Sequence, residues 1–188
     1  MPLPRLVTPP AELPVPLALA KEHIEVDFAD RDLLIDGFLR AATARLDGYA
    51  GLLGRCLVSQ DWQQDYACWR DLRLPLPDVQ AVRIDYVDEA GAGQTVEDTG
   101  FELVDEAAGP TIRFARGWPP PRLARTEYPV RVTFTAGYGT ADDVPWPIKG
   151  AILQHVATMF AYRETLADRA QPTGIYHELI APYRRVRI

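Results

Sequence analysis

The stretch Asp143–Tyr162, DVPWPIKGAILQHVATMFAY, constrains the fold of this chain more than any other. Pro145 and Pro147 open it, and the apolar residues that follow keep a helical period. Ile148, Ile152, His155 or Val156, and Met159 recur three or four apart, and Leu153 and Phe160 widen the same face. Proline is tolerated in a first helical turn because the N–H it lacks has no intrahelical partner there. Asp143 stands just upstream, where a carboxylate is expected to accept first-turn N–H bonds and face the positive end of the helix dipole. The stretch therefore predicts a long amphipathic helix that must bury one face against something else in the chain.

The partner is predicted nearer the start. Leu17–Ile24 reads as a short helix entered through Pro16, and Asp27 or Asp30 is placed to cap a long helix over roughly 29–53. Ile35, Phe38, Leu39, Ala42, Leu46, Tyr49 and Leu53 supply its apolar stripe, and Gly54 suits a left-handed C′ position. Gly37, Gly48 and Gly51 inside it weaken the helix by about 1 kcal/mol each against alanine. They are read as points where another helix approaches closely.

Between the helices the period switches to two. Residues 56–66, Leu72–Leu76, Val79–Val87, Gln94–Val96, Phe101–Val104, Thr111–Phe114 and Val130–Ala136 read as short strands. In Val79–Val87, Val82, Ile84 and Tyr86 face one way and Ala81, Arg83 and Asp85 the other. Residues 88–93, DEAGAG, form a turn that folds Gln94–Val96 back as a hairpin. A last break at 171–174 precedes a short helix, Ile175–Ile180.

The resulting fold class is α+β: a helical bundle from residues 17–54 and 145–181, with residues 55–140 inserted as an antiparallel β-sandwich or barrel-like module. Residues 1–16 carry six prolines, which excludes a helix or a central strand and predicts an extended arm. That arm is either a disordered leader or a strap along a neighbouring subunit. Residues 182–188 form a basic tail: Arg184, Arg185 and Arg187 stand there with no acid among them. It reads as a solvated end or as an anchor for an acidic or polar surface.

Composition narrows the function classes. A net charge of −6 argues against nucleic acid as the main partner, since phosphate binding needs a cationic surface. No apolar run approaches the roughly 18–20 residues that span a bilayer, and the N-terminus has no charged region followed by an apolar one, as a secretory signal requires. A cytoplasmic chain is expected, unless it leaves inside a larger assembly. Cys56 and Cys68, twelve residues apart, match no zinc spacing and are read as buried free thiols.

Catalytic motifs are missing from the sequence. His23, His155 and His177 lie far apart, and His155 on the long helix is read as a satisfied, partly buried side chain. GxSxG, Walker A, GxGxxG and HExxH are not found. The acidic pairs Asp105/Glu106 and Asp142/Asp143 fall in a turn and at a helix start. No enzyme, cofactor or metal is therefore expected. Two other readings stay open: a ligand- or carbohydrate-binding β-module on a helical stalk, with Trp62 and Trp118 as stacking platforms, and a small enzyme using His155 with a nearby acid. Trp69 and Trp146 complete the four tryptophans.

Four ordered stretches carry a resemblance. They are LALAKEHI at 17–24 before an acidic turn; Asp32-Leu33-Leu34-Ile35 leading to Ala41-Ala42 and Tyr49; VTFTAGYG at 132–139; and VPWPIKGAIL at 144–153, with Ala181-Pro182-Tyr183-Arg184 at the end. In this order, over nearly the whole chain, they resemble the head–tail connector (adaptor) proteins of long-tailed bacteriophages and their relatives in gene transfer agents, in the subfamily with a β-insert. The resemblance implies a structural subunit that forms a ring, typically twelve-fold, on the capsid portal. That ring would extend the DNA channel, which DNA crosses without sequence-specific binding, and would offer an attachment surface to stopper and tail-completion proteins. It implies portal protein, stopper or tail proteins and further copies of itself as partners, no membrane, and a place at the head–tail junction of a virion or phage-like particle after assembly in the host cytoplasm. It also implies that the C-terminal segment reaches the portal, which maps onto Tyr183, Arg184, Arg185, Val186, Arg187 and Ile188.

Overall fold

The computed structural model describes residues 2–106, 109–162 and 174–185. The fold is α+β, and the chain divides into two compact units. One holds the residues up to Pro10 together with Ser59–Gly137; the other holds Ala11–Val58 and the described chain from Tyr138 onward.

The helical unit contains α1 (Leu17–His23), α2 (Asp32–Leu46), α3 (Trp146–Ala161) and α4 (Gly174–Ile180). Its interior is one apolar cluster: Ile35, Leu39, Ala42 and Leu46 of α2, Ile148, Ala151, Ile152 and Val156 of α3, and Tyr176 and Ile180 of α4. Of the stripe predicted for α3, Ile148, Ile152, Leu153 and Val156 are buried and Met159 and Phe160 pack half-buried against the cluster, with Pro145 at the N-cap and Pro147 in the first turn. Asp143 does not cap it. Its Oδ2 accepts the Thr140 N–H and hydroxyl, both at 2.8 Å, and so closes the preceding turn.

The second predicted helix differs at both ends. Neither Asp27 nor Asp30 caps α2, whose N-cap is Arg31 without a side-chain hydrogen bond. The helix also stops at Leu46 rather than near Leu53. Asp47 turns extended at ψ 149°, and its Oδ1 accepts the Leu57 N–H at 2.7 Å. Gly48 follows at φ 75°, and the chain then doubles back. The N–H groups of Leu52 and Leu53 bond the carbonyls of Arg45 and Leu46 at 2.9 and 3.3 Å. These are last-turn carbonyls that a helix end leaves open, so the returning chain closes α2. A Cβ on Gly51 would meet the Asp47 carbonyl oxygen at 2.2 Å. The close approach at Gly51 is thus the turn's own backbone and not another helix, and at Gly37 nothing lies within 4 Å.

The other unit is built on a five-stranded antiparallel sheet in the order β1 (Arg5–Thr8), β2 (Gln60–Tyr66), β7 (Val130–Ala136), β3 (Val79–Val87), β4 (Gly93–Thr95). β5 (Phe101–Glu106) and β6 (Gly109–Phe114) form a separate hairpin. β7 is central: Val130, Val132, Phe134 and Ala136 alternate inward and are buried. Phe134 stands opposite Trp62 on β2 and Val82 on β3. Residues 56–59, read as strand, precede β2 in the sequence, and Cys56, Leu57 and Val58 are buried. Leu72–Leu76 is not a full strand. It joins β6 through one bridge, Arg73 to Thr111, flanked by Leu74 N–H to Pro110 O and Ile112 N–H to Leu72 O. Its alternation is nevertheless real, since Leu72, Leu74 and Leu76 are all buried. Residues 5–8 of the proline-rich arm pair as an edge strand with this chain's own β2, and Gln64 Nε2 donates to the Pro2 carbonyl at 2.8 Å.

Candidate functional site: the base of the C-terminal tail

Of the six tail residues singled out in the sequence, Tyr183, Arg184 and Arg185 are described; Val186, Arg187 and Ile188 lie outside the described residues. α4 runs into a 3₁₀ turn, Ala181–Tyr183, and Pro182 in that turn prevents α4 from continuing. Tyr183 is half-buried against the helical core. Arg184 turns extended, and the Arg185 N–H donates to the Leu53 carbonyl at 3.1 Å. The tail is therefore fastened at its base to the turn that closes α2. Between the two lies an open groove of about 690 Å³, lined by Ala50, Gly51, Leu52, Gly54, Arg184 and Arg185. The helix predicted to run to residue 53 leaves no room for such a groove. The signal was present in three glycines within seven residues, Gly48, Gly51 and Gly54, two of which take positive φ.

The side chains considered for chemistry do not assemble. Among the described residues no group of three or more His, Cys, Asp and Glu side chains is placed to hold a metal ion. His155 is half-buried, edge-on to the Tyr176 ring at 5.6 Å. Among the described residues its Nδ1, which is buried, has no hydrogen-bond partner, whereas a satisfied histidine was expected. Burial, and then the Arg45 charge, hold its pKa below the ordinary value of 6.5. Glu106 pairs with Arg113 across the β5–β6 hairpin at 2.6 Å. Asp143 is kept below the usual carboxylate range by its bonds to Thr140. Glu106 and Asp143 are thus each held by a local structural partner.

The tryptophans separate into different settings. Trp118 stacks on Phe114 at 4.0 Å, and Trp69 packs edge-on to Tyr86, Phe114 and Trp118. Phe114 thus covers one face of Trp118, and Trp62, on β2, belongs to another part of the sheet unit. Trp146 at the start of α3 is 66% exposed, with the Lys149 ammonium 5.1 Å from its ring centre. Cys56 is buried, but Cys68, expected to be buried, is exposed.

No protein-family model and no curated protein matches the chain. Solved structures do. A chain described as "Neck of empty GTA particle computed with C6 symmetry" superposes with a TM-score of 0.77 at 30% identity, covering 99% of this chain and 97% of that one. The chain belongs to the family of this gene transfer agent neck protein. Chains from the "Virion of native gene transfer agent (GTA) particle" and the "Neck of native GTA particle computed with C12 symmetry" give TM-scores of 0.76 and 0.75 at 29% and 28% identity. Each is covered over 97% of its length.

Membership of this neck family supports a structural component of a phage-like particle and points to a non-enzymatic role. Among the described residues no helix is long and apolar enough to cross a membrane. The tail base is the region where the end of α2, its closing turn and Arg184 and Arg185 meet.

Proposed function

We propose that this chain is a head–tail adaptor subunit. Copies of it form a twelve-fold ring on the capsid portal, extend the DNA channel and present an attachment surface to stopper and tail-completion proteins. Tyr183, Arg184, Arg185, Val186, Arg187 and Ile188 are its portal-binding segment. The observation that carries the reading is the 30% identity, over nearly the full length of both chains, to a component of a gene transfer agent neck. Related necks are described as computed with C6 and with C12 symmetry, and a twelve-fold ring is compatible with both. The tail base adds a physical reason: it holds two guanidiniums beside an anchored backbone, an arrangement suited to carboxylates on a facing surface. The net charge of −6 suits a channel in which phosphates must slide without being retained.

Deleting residues 183–188 is expected to abolish co-sedimentation with portal assemblies while leaving the far-ultraviolet circular dichroism unchanged. Portal binding that survives the deletion in a folded protein would refute the assignment of the tail.

A further inference from the structure

A sheet edge offers unpaired N–H and C=O groups to any strand that arrives. Among the described residues the sheet unit leaves three such edges: β1 and β4 at the ends of the five-stranded sheet, and β5 in the hairpin, whose β6 is covered by Leu72–Leu74. β1 is blunted: its four residues stand between Pro4 and Pro9, and the register shifts between Leu6 and Thr8. β4 has only three residues. β5 has six, with no proline or glycine among them. Its pairing with β6 fixes which groups are free. The Ala115 N–H donates to the Gly100 carbonyl at 3.1 Å, and bonded and non-bonded pairs alternate along an antiparallel ladder. Glu102, Val104 and Glu106 therefore bond β6, and the N–H and C=O groups of Phe101, Leu103 and Asp105 point away from it. Pro110, which has no N–H to give, stands opposite Asp105, in keeping with this phase. Among the described residues nothing pairs with the outward groups.

The side chains along this edge state what it accepts. Residues 97–106 hold five acids and no lysine or arginine. Glu106 is paired with Arg113. Glu102 and Asp105 are exposed and, among the described residues, have neither an ion pair nor a hydrogen bond through their side chains. They stand on opposite faces of the strand, Glu102 beside the half-buried Val104 and Asp105 beside the half-buried Leu103. Glu102–Asp105 thus reads acid, apolar, apolar, acid. A strand laid against it matches that order with cation, apolar, apolar, cation, and the match is the same in either direction. A second copy of β5 does not fit. Pairing in register sets acid against acid whether the strands run parallel or antiparallel, and like charges directly opposite repel.

We propose that the β5 edge is a docking strand for a partner protein, completed by an extended segment in which two Lys or Arg side chains flank two apolar ones. Main-chain bonds to Phe101, Leu103 and Asp105 hold the segment, and its charges over Glu102 and Asp105 fix the register. Charge complementarity selects this occupant, since the edge carries unpaired carboxylates and no cation to answer them. The contact shares no residue with the portal-binding segment. It deepens the adaptor reading by giving the attachment surface a place, and it rests on that reading only for the partner's being a stopper or tail-completion protein.

The test uses the full chain, isotopically labelled for NMR, and the synthetic peptide acetyl-Thr-Arg-Val-Ile-Arg-Thr-amide. At millimolar peptide, amide exchange at Phe101, Leu103 and Asp105 is expected to slow by more than about tenfold, while Glu102 and Val104, already bonded to β6, change far less. The same peptide with glutamate in place of arginine should protect none of them. Glu102→Arg with Asp105→Arg should exchange these preferences, and an unchanged amide spectrum outside β5 shows that the variant is folded. Asp105→Pro deletes one outward N–H and no bond to β6, and should weaken the basic peptide by about tenfold. A basic peptide that protects none of the three amides, that is matched by the acidic peptide, or that binds the reversed variant as well as the parent would overturn the proposal. Protection of the three amides in the chain alone, lost on dilution, would give the edge to a second copy instead. Portal co-sedimentation of the reversed variant is read separately: if it persists while the peptides fail, this contact falls and the adaptor reading stands.

Discussion

The two units are filled by different means. The interior of the helical unit is one apolar cluster drawn from all four helices, with Thr43 and Lys149 as its buried polar residues. The sheet unit takes three glutamines of one strand out of solvent, Gln60, Gln63 and Gln64. It also gathers Trp69, Tyr86, Phe114 and Trp118 into an aromatic group. In the first, stability follows from filled volume. In the second, it depends on placed hydrogen bonds, such as Gln64 to the Pro2 carbonyl, and on ring-against-ring geometry. The first kind of interior is written in the period of the sequence. The second is written only in three dimensions.

The largest effect that would test this contrast is Ile152→Ala, which empties a fully buried position of α3. A loss of about 2–5 kcal/mol is expected from urea unfolding; a loss below about 1 would mean that the bundle collapses around the gap. Next comes Gly51→Ala, whose methyl would strike a backbone oxygen that has nowhere to move. About 2–3 kcal/mol should be lost, with faster amide exchange at Leu52 and Leu53. In the sheet unit, Trp118→Ala removes a stacked and an edge-on partner from half-buried surroundings. A loss of about 1–2 kcal/mol is expected, and exchange should quicken in the β5–β6 hairpin and stay unchanged in α3.

The smallest effect concerns pH. His155 sits on α3, facing Tyr176 of α4 and the charge of Arg45 on α2. Its folded pKa is lowered, so the unfolded chain binds the proton more readily. Stability is complete above the unfolded value near 6.5 and declines as pH falls through it toward the lower folded value. His155→Gln should flatten the slope of unfolding free energy between about pH 7 and pH 5; an identical slope would show that other groups set it.

α3 was legible because a single rule, apolar residues at three and four, accounts for Ile148, Ile152 and Val156 without reference to any neighbour. The end of α2 was not. Leu53 lies in phase with Leu46, and both are buried, but the chain reaches the second position by a return turn that happens to restore the period. Leu72–Leu76 taught the converse lesson: alternation reports which side chains go inward, not whether the backbone finds a continuous partner. The six tail residues were chosen by resemblance and charge, and the groove beside them was invisible. A groove is made by a turn and a tail that lie about 130 residues apart in the chain. The open edge of β5 was hidden too, because which strand of a sheet stands outermost is decided only by the fold.

The hydrogen bond from Arg185 to Leu53 has a mechanical meaning. A pull on the chain beyond Arg185 is carried by the covalent backbone into α4, and the bond to Leu53, whose own N–H is bonded to the last residue of α2, ties the same point to the end of the long helix. That second tie is a single peptide hydrogen bond, which can break under tension and reform when it is released.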